Sequence, residues 1–117
     1  MPYVEVFLLA VPKSRIEDYK KAERSSEPIL KEFGATAVVE CIGDDVPYGE
    51  LTSFPRAVQA GDDEIVVLSW IVYPSKEVRD AANARMMSDE HFTDIMKDAP
   101  IDGKRLISGG FVPFIGL

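Results

Sequence analysis

One stretch of the sequence decides the fold: Glu64-Ile-Val-Val-Leu-Ser-Trp-Ile-Val-Tyr73, followed at once by Pro74. Apart from Glu64 and Ser69, every residue in it is β-branched, aromatic or leucine, the composition that strands favour. Proline cannot donate to a strand ladder, so the strand ends there. A run this long and apolar predicts the core strand of a sheet.

Three other segments have strand character, namely residues 3–11, 35–42 and 105–114. Ser14 and Glu17 have the spacing of a capping box and predict a helix that ends at Gly34. Pro28 lies inside that helix and predicts a kink or restart near Ser25 and Ser26.

Two shorter helices are expected before the last strand. Ser75 is the predicted cap of a helix reaching residue 87, and Ser88 that of one reaching 96 or 97. Residues 43–63 contain Pro47, Gly49, Pro55 and Gly61 without periodicity and predict a long loop, a kind of segment that often carries function.

This order predicts an α+β fold, a ferredoxin-like βαββαβ sandwich with a four-stranded antiparallel sheet and helices on one face. With 117 residues the chain has room for one hydrophobic core, so residues 1–117 are predicted to form a single domain. Adjacent Gly109 and Gly110 in the last strand indicate a bulge or a close backbone approach.

The charge excludes several classes of partner. A net charge of -7 repels phosphate backbones, so no nucleic acid partner is expected. No apolar run approaches the roughly 20 residues that span a bilayer, and residues 1–12 predict a strand rather than a signal peptide, so no membrane partner is expected.

A single cysteine, Cys41, fits a reducing compartment, and the cytoplasm is the expected location.

Side chains alternate between the two faces of a strand. One predicted face is wholly apolar and is expected to pack under the helices, with Cys41 as part of the core packing. It contains Val4, Val6, Leu8, Ala10, Val66, Leu68, Trp70 and Val72. The opposite face, which includes Phe7, Val38 and Ile71, has sparse polar groups and is expected to be covered by a second copy of the chain.

Glu5, Glu40, Ser69 and Tyr73 are the candidate ligand-orienting groups of that second face. A ligand pocket is therefore predicted between the sheet faces and the 43–63 loop, with Arg56 at its entrance. The alternative places these glutamates at the sheet margin or in ion pairs across a dimer contact. Glu5 and Glu40 are expected to lie apart, so no general acid–base pair is predicted.

Other chemical patterns are weak. The acidic runs lack the spacing of a calcium loop, and the paired glycines lack the context of a phosphate loop, so no metal and no cofactor are expected. His91, the only histidine, predicts an exposed side chain. Arg79 and Asn83, spaced four apart, fit either a ligand grip or a solvent face.

Several long motifs carry a family resemblance, among them Thr52-Ser53-Phe54-Pro55-Arg56-Ala57-Val58, Ser69-Trp70-Ile71-Val72-Tyr73-Pro74-Ser75-Lys76 and Arg79-Asp80-Ala81-Ala82-Asn83. The chain resembles the bacterial family called domain of unknown function 1428, or DUF1428. The resemblance implies a dimeric α/β-barrel fold, shared with cofactor-free monooxygenases, small isomerases and stress-responsive binding proteins. Fold does not fix function, and the family brings no established activity.

Three functions remain open. The first is a homodimeric small-molecule-binding protein. The second is a cofactor-independent enzyme, like a monooxygenase or an isomerase, that uses Tyr73 or Glu40 for proton transfer. The third is a structural protein whose dimer interface is filled by side chains.

Overall fold

The computed structural model describes residues 1–117. It has four strands and four helices. A 3₁₀ turn at Lys13–Arg15 connects the first strand to the first helix. The strands are β1 (Tyr3–Pro12), β2 (Ala37–Ile42), β3 (Glu64–Tyr73) and β4 (Ile107–Phe111). The helices are α1 (Ile16–Glu32), α2 (Phe54–Ala57), α3 (Lys76–Ser88) and α4 (Glu90–Lys97).

The sheet is antiparallel throughout, in the order β2-β3-β1-β4. β3 lies inside it as predicted, paired with β1 from Tyr3 opposite Tyr73 to Pro12 opposite Glu64. This is the ferredoxin-like topology expected from the element order. At the edge, a Cβ on Gly110 would collide with the ring of Tyr3, which confirms the predicted close approach.

Helix α1 differs from the prediction at its start and middle. Ser14 lies in the 3₁₀ turn, and no side chain caps the first turn of α1, so the capping box does not form. The helix runs through Pro28 without a restart, because the proline is on the exposed side, where water can satisfy the carbonyl group it leaves free. Gly34, with φ of 120°, ends the helix as predicted.

The assignment of the two sheet faces was reversed. The face with Phe7, Val38 and Ile71 packs under the helices, where Ile71 and Tyr73 share a core cluster with Leu30. We call it the helix-covered face. It is therefore not the face left for a second subunit.

The wholly apolar face is the one left without helices. Its half-exposed residues are Val4, Val6, Leu8, Ala37, Val39, Cys41, Leu68 and Trp70. We call this set the open face. The prediction is wrong because polar residues do not mark the exposed face of this sheet: Glu5 and Glu40 find hydrogen-bond partners, and Ser69 lines a cavity beneath the helices. Cys41 is consequently half-exposed rather than packed in the core.

The 43–63 loop folds over one end of the open face. Val58 is fully buried there against Ala10 and Val66. The loop contains the short helix α2, capped by the Ser53 hydroxyl, which accepts from the Arg56 main-chain amide at 3.1 Å. None of the four helices combines the length and the apolar character that a membrane-spanning helix needs.

Candidate functional site

A cavity of about 420 Å³ lies between the helix-covered face and helices α1, α3 and α4. Its volume is within the range of about 300–1,000 Å³ typical of small-molecule sites. Eleven of its 17 lining residues are hydrophobic, so it is mostly apolar with a few polar groups. The apolar lining includes Phe7, Leu9, Leu30, Met86, Phe92 and Met96.

Four side chains form a polar group at one side of the cavity, and we call them the carboxyl cluster: Tyr19, Glu23, Glu40 and Ser69. The Tyr19 hydroxyl donates to Glu40 Oε1 at 2.7 Å. Register explains part of the cluster, since Glu40 on β2 lies directly opposite Ser69 on β3. Tyr19 and Glu23 are four residues apart on α1 and so point from the same side of the helix.

The two carboxyl groups of this cluster lie at the rim of the cavity, where Glu23 is half-buried and Glu40 is exposed on the solvent side. Burial, together with the charge of Glu40 and a hydrogen bond to it, raises the pKa of Glu23 to about 8. Burial also raises the pKa of Glu40, opposed by hydrogen bonds from Tyr19, Glu23 and Ser69. Burial and the nearby glutamates raise the pKa of Tyr19 as well, so its phenol stays protonated. Because the pKa of Glu23 is about 8, its carboxyl group holds a proton at neutral pH and can share it with Glu40 through their hydrogen bond.

The carboxyl cluster forms no ion pair. Neither Glu23 nor Glu40 has a Lys, Arg or His nitrogen within ion-pair distance. Lys20 and Arg24 line a separate outer hollow on the far side of the same carboxyl groups, where Lys20 pairs with Glu17 at 3.4 Å. The carboxyl cluster is thus the wall between an apolar cavity and the solvent side.

Glu5, on the other side of the cavity, is already compensated. Arg79 Nη1 donates to its Oε2 at 2.8 Å, and Asn83 Nδ2 donates to the same oxygen at 3.3 Å. Both side chains of the Arg79–Glu5 pair are mostly buried. Arg79 and Asn83 therefore hold a sheet carboxylate in place, which is neither of the roles predicted for them.

The predicted site residues are split between the two sides of the sheet. Glu5, Glu40 and Ser69 line the cavity, while Tyr73 is fully buried beside it with a hydroxyl that has no partner. Burial and the negative charge of Glu5 raise the pKa of Tyr73 to about 12, and the positive charge of Arg79 opposes them. Arg56 lies in the loop over the opposite side, where Nε and Nη2 donate to the carbonyls of Tyr48 and Gly49.

The predicted pocket position, between sheet faces and loop, is consequently not where the cavity lies. Glu23 and Tyr19 are the members of the site that the sequence analysis did not find. Tyr19, Glu23 and Ser26 follow one another at helical spacing, so a polar stripe on the buried side of α1 was the available signal. His91 is exposed as predicted, and no group of three or more His, Cys, Asp or Glu side chains comes together to hold a metal ion.

A model for the family described as protein of unknown function (DUF1428) matches residues 2–103. The chain belongs to this family. One relative is the uncharacterized protein YbaA of Escherichia coli strain K12, which is 50% identical over 115 residues, 98% of each chain. The resemblance seen in the sequence motifs is thus confirmed, and the function of the family remains unknown.

Solved structures with a similar fold are distant in sequence. A dimeric ferredoxin-like protein from an uncultured marine organism has a TM-score of 0.63 at 10% identity, with 100% of both chains covered. SnoaB, a cofactor-independent oxygenase from Streptomyces nogalater, has a TM-score of 0.59 at 13% identity, covering 99% of this chain and 96% of that one. At such identities the likeness confirms the fold alone.

Proposed function

We propose that this DUF1428 protein binds a small, mostly apolar molecule in the cavity beneath its helices. The observation that carries the proposal is the cavity itself, about 420 Å³ of apolar space with one uncompensated polar cluster. A cavity kept only for packing would be filled by side chains, since interiors are normally close-packed. The flexible side chains of Met86 and Met96 can adjust to a ligand.

The binding unit of this proposal is a homodimer that buries the open face of each copy. Eight half-exposed apolar residues without a single charge form a patch that water solvates poorly. The similarity to a dimeric ferredoxin-like protein supports this arrangement. Trp70, the only tryptophan, lies on the open face and would report association by its fluorescence. In keeping with the single cysteine, we place the protein in the cytoplasm.

A thermal-shift screen of a metabolite library, with two variants, tests the ligand proposal. Met86→Trp adds bulk inside the cavity, while Ala84→Trp adds the same ring on the exposed side of the same helix. Hits are expected to raise the melting temperature of the wild type and of Ala84→Trp, and to have no effect on Met86→Trp. The proposal fails if no compound stabilises the protein, or if hits stabilise both variants equally.

A proton-transfer enzyme is the second candidate, and the carboxyl cluster favours it. A carboxyl group with a pKa raised to about 8 can act as a general acid or base near neutral pH. SnoaB, which shares the fold, is described as a cofactor-independent oxygenase. In this reading Glu40 and Glu23 transfer the proton and Tyr19 orients Glu40, whereas Tyr73 lies outside the cavity lining.

The two candidates differ in what happens to a bound compound. Compounds that stabilise the protein are incubated with it in air and followed by mass spectrometry. An enzyme converts one of them at a rate that Glu40→Gln lowers by about a hundredfold or more, with binding retained. If every compound is recovered unchanged, the enzyme candidate is rejected and the binding function is retained.

A further inference from the structure

The carboxyl cluster has a surplus of hydrogen-bond acceptors. The Tyr19 hydroxyl proton goes to Glu40, and the Ser26 hydroxyl donates to the main-chain carbonyl oxygen of Glu23 at 3.0 Å. The Ser69 hydroxyl, on a residue only 3% exposed, faces Glu40. Each hydroxyl carries a single proton, so at most three donors face the two carboxyl groups, which offer about eight acceptor positions.

No side-chain N–H group of the cavity lining donates to these positions. Arg79 and Asn83 are committed to Glu5, and no lysine or arginine lines the cavity. Lys20 and Arg24 lie in the outer hollow, without an ion pair to either carboxyl group. On its cavity side the carboxyl cluster thus offers acceptors without a cationic partner, so a positively charged donor is the group that would complement it.

The remaining walls suit the body of a hydrophobic cation. Phe7 and Phe92 provide aromatic rings, which attract cations by their negative faces, and Met86 and Met96 provide polarisable thioethers. An anionic ligand would meet repulsion from the carboxyl cluster and find no donor. A neutral alcohol could donate only once.

We propose that the ligand of this cavity is a lipophilic amine, whose ammonium group donates to Glu23 and Glu40 while its apolar body contacts the aromatic and methionine side chains. This inference rests on the proposed function and specifies its ligand class. On binding, the ammonium takes the place of the proton that the two carboxyl groups share, and that proton leaves to solvent. Tyr19 and Ser69 keep Glu40 oriented toward the cavity.

Three probes of matched size test the charge of the ligand: phenethylamine, phenethyl alcohol and hydrocinnamate. In isothermal titration at pH 7 the amine is expected to bind at least about tenfold more tightly than the alcohol, and hydrocinnamate more weakly than either. Equal or tighter binding of the alcohol or of hydrocinnamate would overturn the inference. So would the absence of binding by all three, in which case the library screen still decides the proposed function.

Variants test whether the carboxyl cluster itself, rather than the overall negative charge of the protein, causes the preference for the amine. Glu23→Gln and Glu40→Gln each keep the shape of the side chain and are expected to lower amine affinity about tenfold, with alcohol affinity unchanged. Glu17→Gln removes an equal charge from the exposed side of α1 and should change neither. An amine preference that survives in both cavity variants contradicts binding at this cluster.

Proton release gives a readout that does not depend on variant folding. Titrations of the wild type in buffers of different ionisation enthalpy are expected to give a release of up to about one proton per amine at pH 7. Phenethyl alcohol should give none. Zero release on amine binding would show that the ammonium does not displace the shared proton, which would overturn the inference.

Discussion

The helix-covered face and the open face belong to one sheet but differ in polarity and in what covers them. The helix-covered face holds Glu5, Glu40 and Ser69, and helices supply Arg79 and Tyr19 as partners. The open face carries no charged residue, yet eight of its side chains remain half-exposed. The difference teaches that polar groups on a sheet face can belong to the interior when helices supply hydrogen-bond partners. An uninterrupted apolar face, in contrast, indicates a surface that another protein surface covers.

The largest effect is expected from a charge on the open face. Leu68→Asp would bury an unpaired carboxylate in the proposed dimer interface, which costs several kcal/mol. We expect the dimer dissociation constant to rise by about a hundredfold or more, measured by sedimentation equilibrium.

A charge on the other side of the same sheet is the matched control. Ser108→Asp on β4 lies opposite Phe7 and is exposed, so the dimer should persist. Alkylation of Cys41 provides a second readout, slow in the wild-type dimer and fast in Leu68→Asp. A dimer that tolerates Leu68→Asp, or one disrupted only by Ser108→Asp, would move the interface away from the open face.

The next effect concerns the ion pair under the helices. Arg79→Met leaves the Glu5 carboxylate mostly buried with only Asn83 as a donor. We expect a loss of about 2–3 kcal/mol in the free energy of unfolding, measured with urea. The double variant Glu5→Met with Arg79→Met removes both charges and should recover most of that loss. Equal stability of Arg79→Met and wild type would contradict a structural role for this pair.

The carboxyl cluster predicts an unusual pH dependence. Because the pKa of Glu23 is raised to about 8 from an unfolded value of about 4.3, the folded state binds more protons between these values. The free energy of unfolding should therefore fall as pH rises from about 5 to about 8. Glu23→Gln should flatten this decline in urea titrations at several pH values. A wild type whose stability rises across this window would refute the shared proton.

Acid acts through a different group. The hydrogen bonds from Arg105 and from the Gly61 amide lower the pKa of Glu64 to about 2. The stabilisation that this carboxylate gives is present above its unfolded pKa of about 4.3 and is lost as pH falls toward about 2. Stability is thus expected to be greatest near pH 5, and Glu64→Gln should reduce the loss on the acid side.

The smallest effect is expected at the helical wall of the cavity. Asp89 caps α4 by accepting from the Phe92 amide at 2.7 Å, and Phe92 lines the cavity. Asp89→Ala should cost about 1 kcal/mol and weaken ligand binding as well. Ser53→Ala removes the cap of α2 on the other side of the sheet and should leave binding unchanged. If both caps affect binding equally, the cavity wall has no special role.

The fold was predictable from sequence because strand and helix patterns are local. The apolar run of β3, the glycine after α1 and the caps Ser75 and Asp89 each act within a few residues. Ser88, predicted to cap α4, is instead the last residue of α3, one place before the true cap. Such small shifts are usual at helix ends.

The site was harder to predict because it depends on which face receives the helices. Alternation sorts side chains into two sets but does not say which set is covered, and a polar count favoured the wrong one. Glu5, Glu40 and Ser69 were found as candidates, whereas Glu23 came from the buried side of α1. Its approach to Glu40 depends on how α1 packs across β2, which no local pattern encodes.

The methionines provide the most direct test of the account. Met86, Met87 and Met96 line the cavity, while the fourth, Met1, lies outside it. In methyl spectra of protein labelled with carbon-13 at methionine, titration with phenethylamine is predicted to shift the Met86 and Met96 signals saturably and to leave Met1 unchanged. Saturable binding that moves Met1 or the Trp70 indole, with the cavity methionines unmoved, would contradict a ligand site beneath the helices.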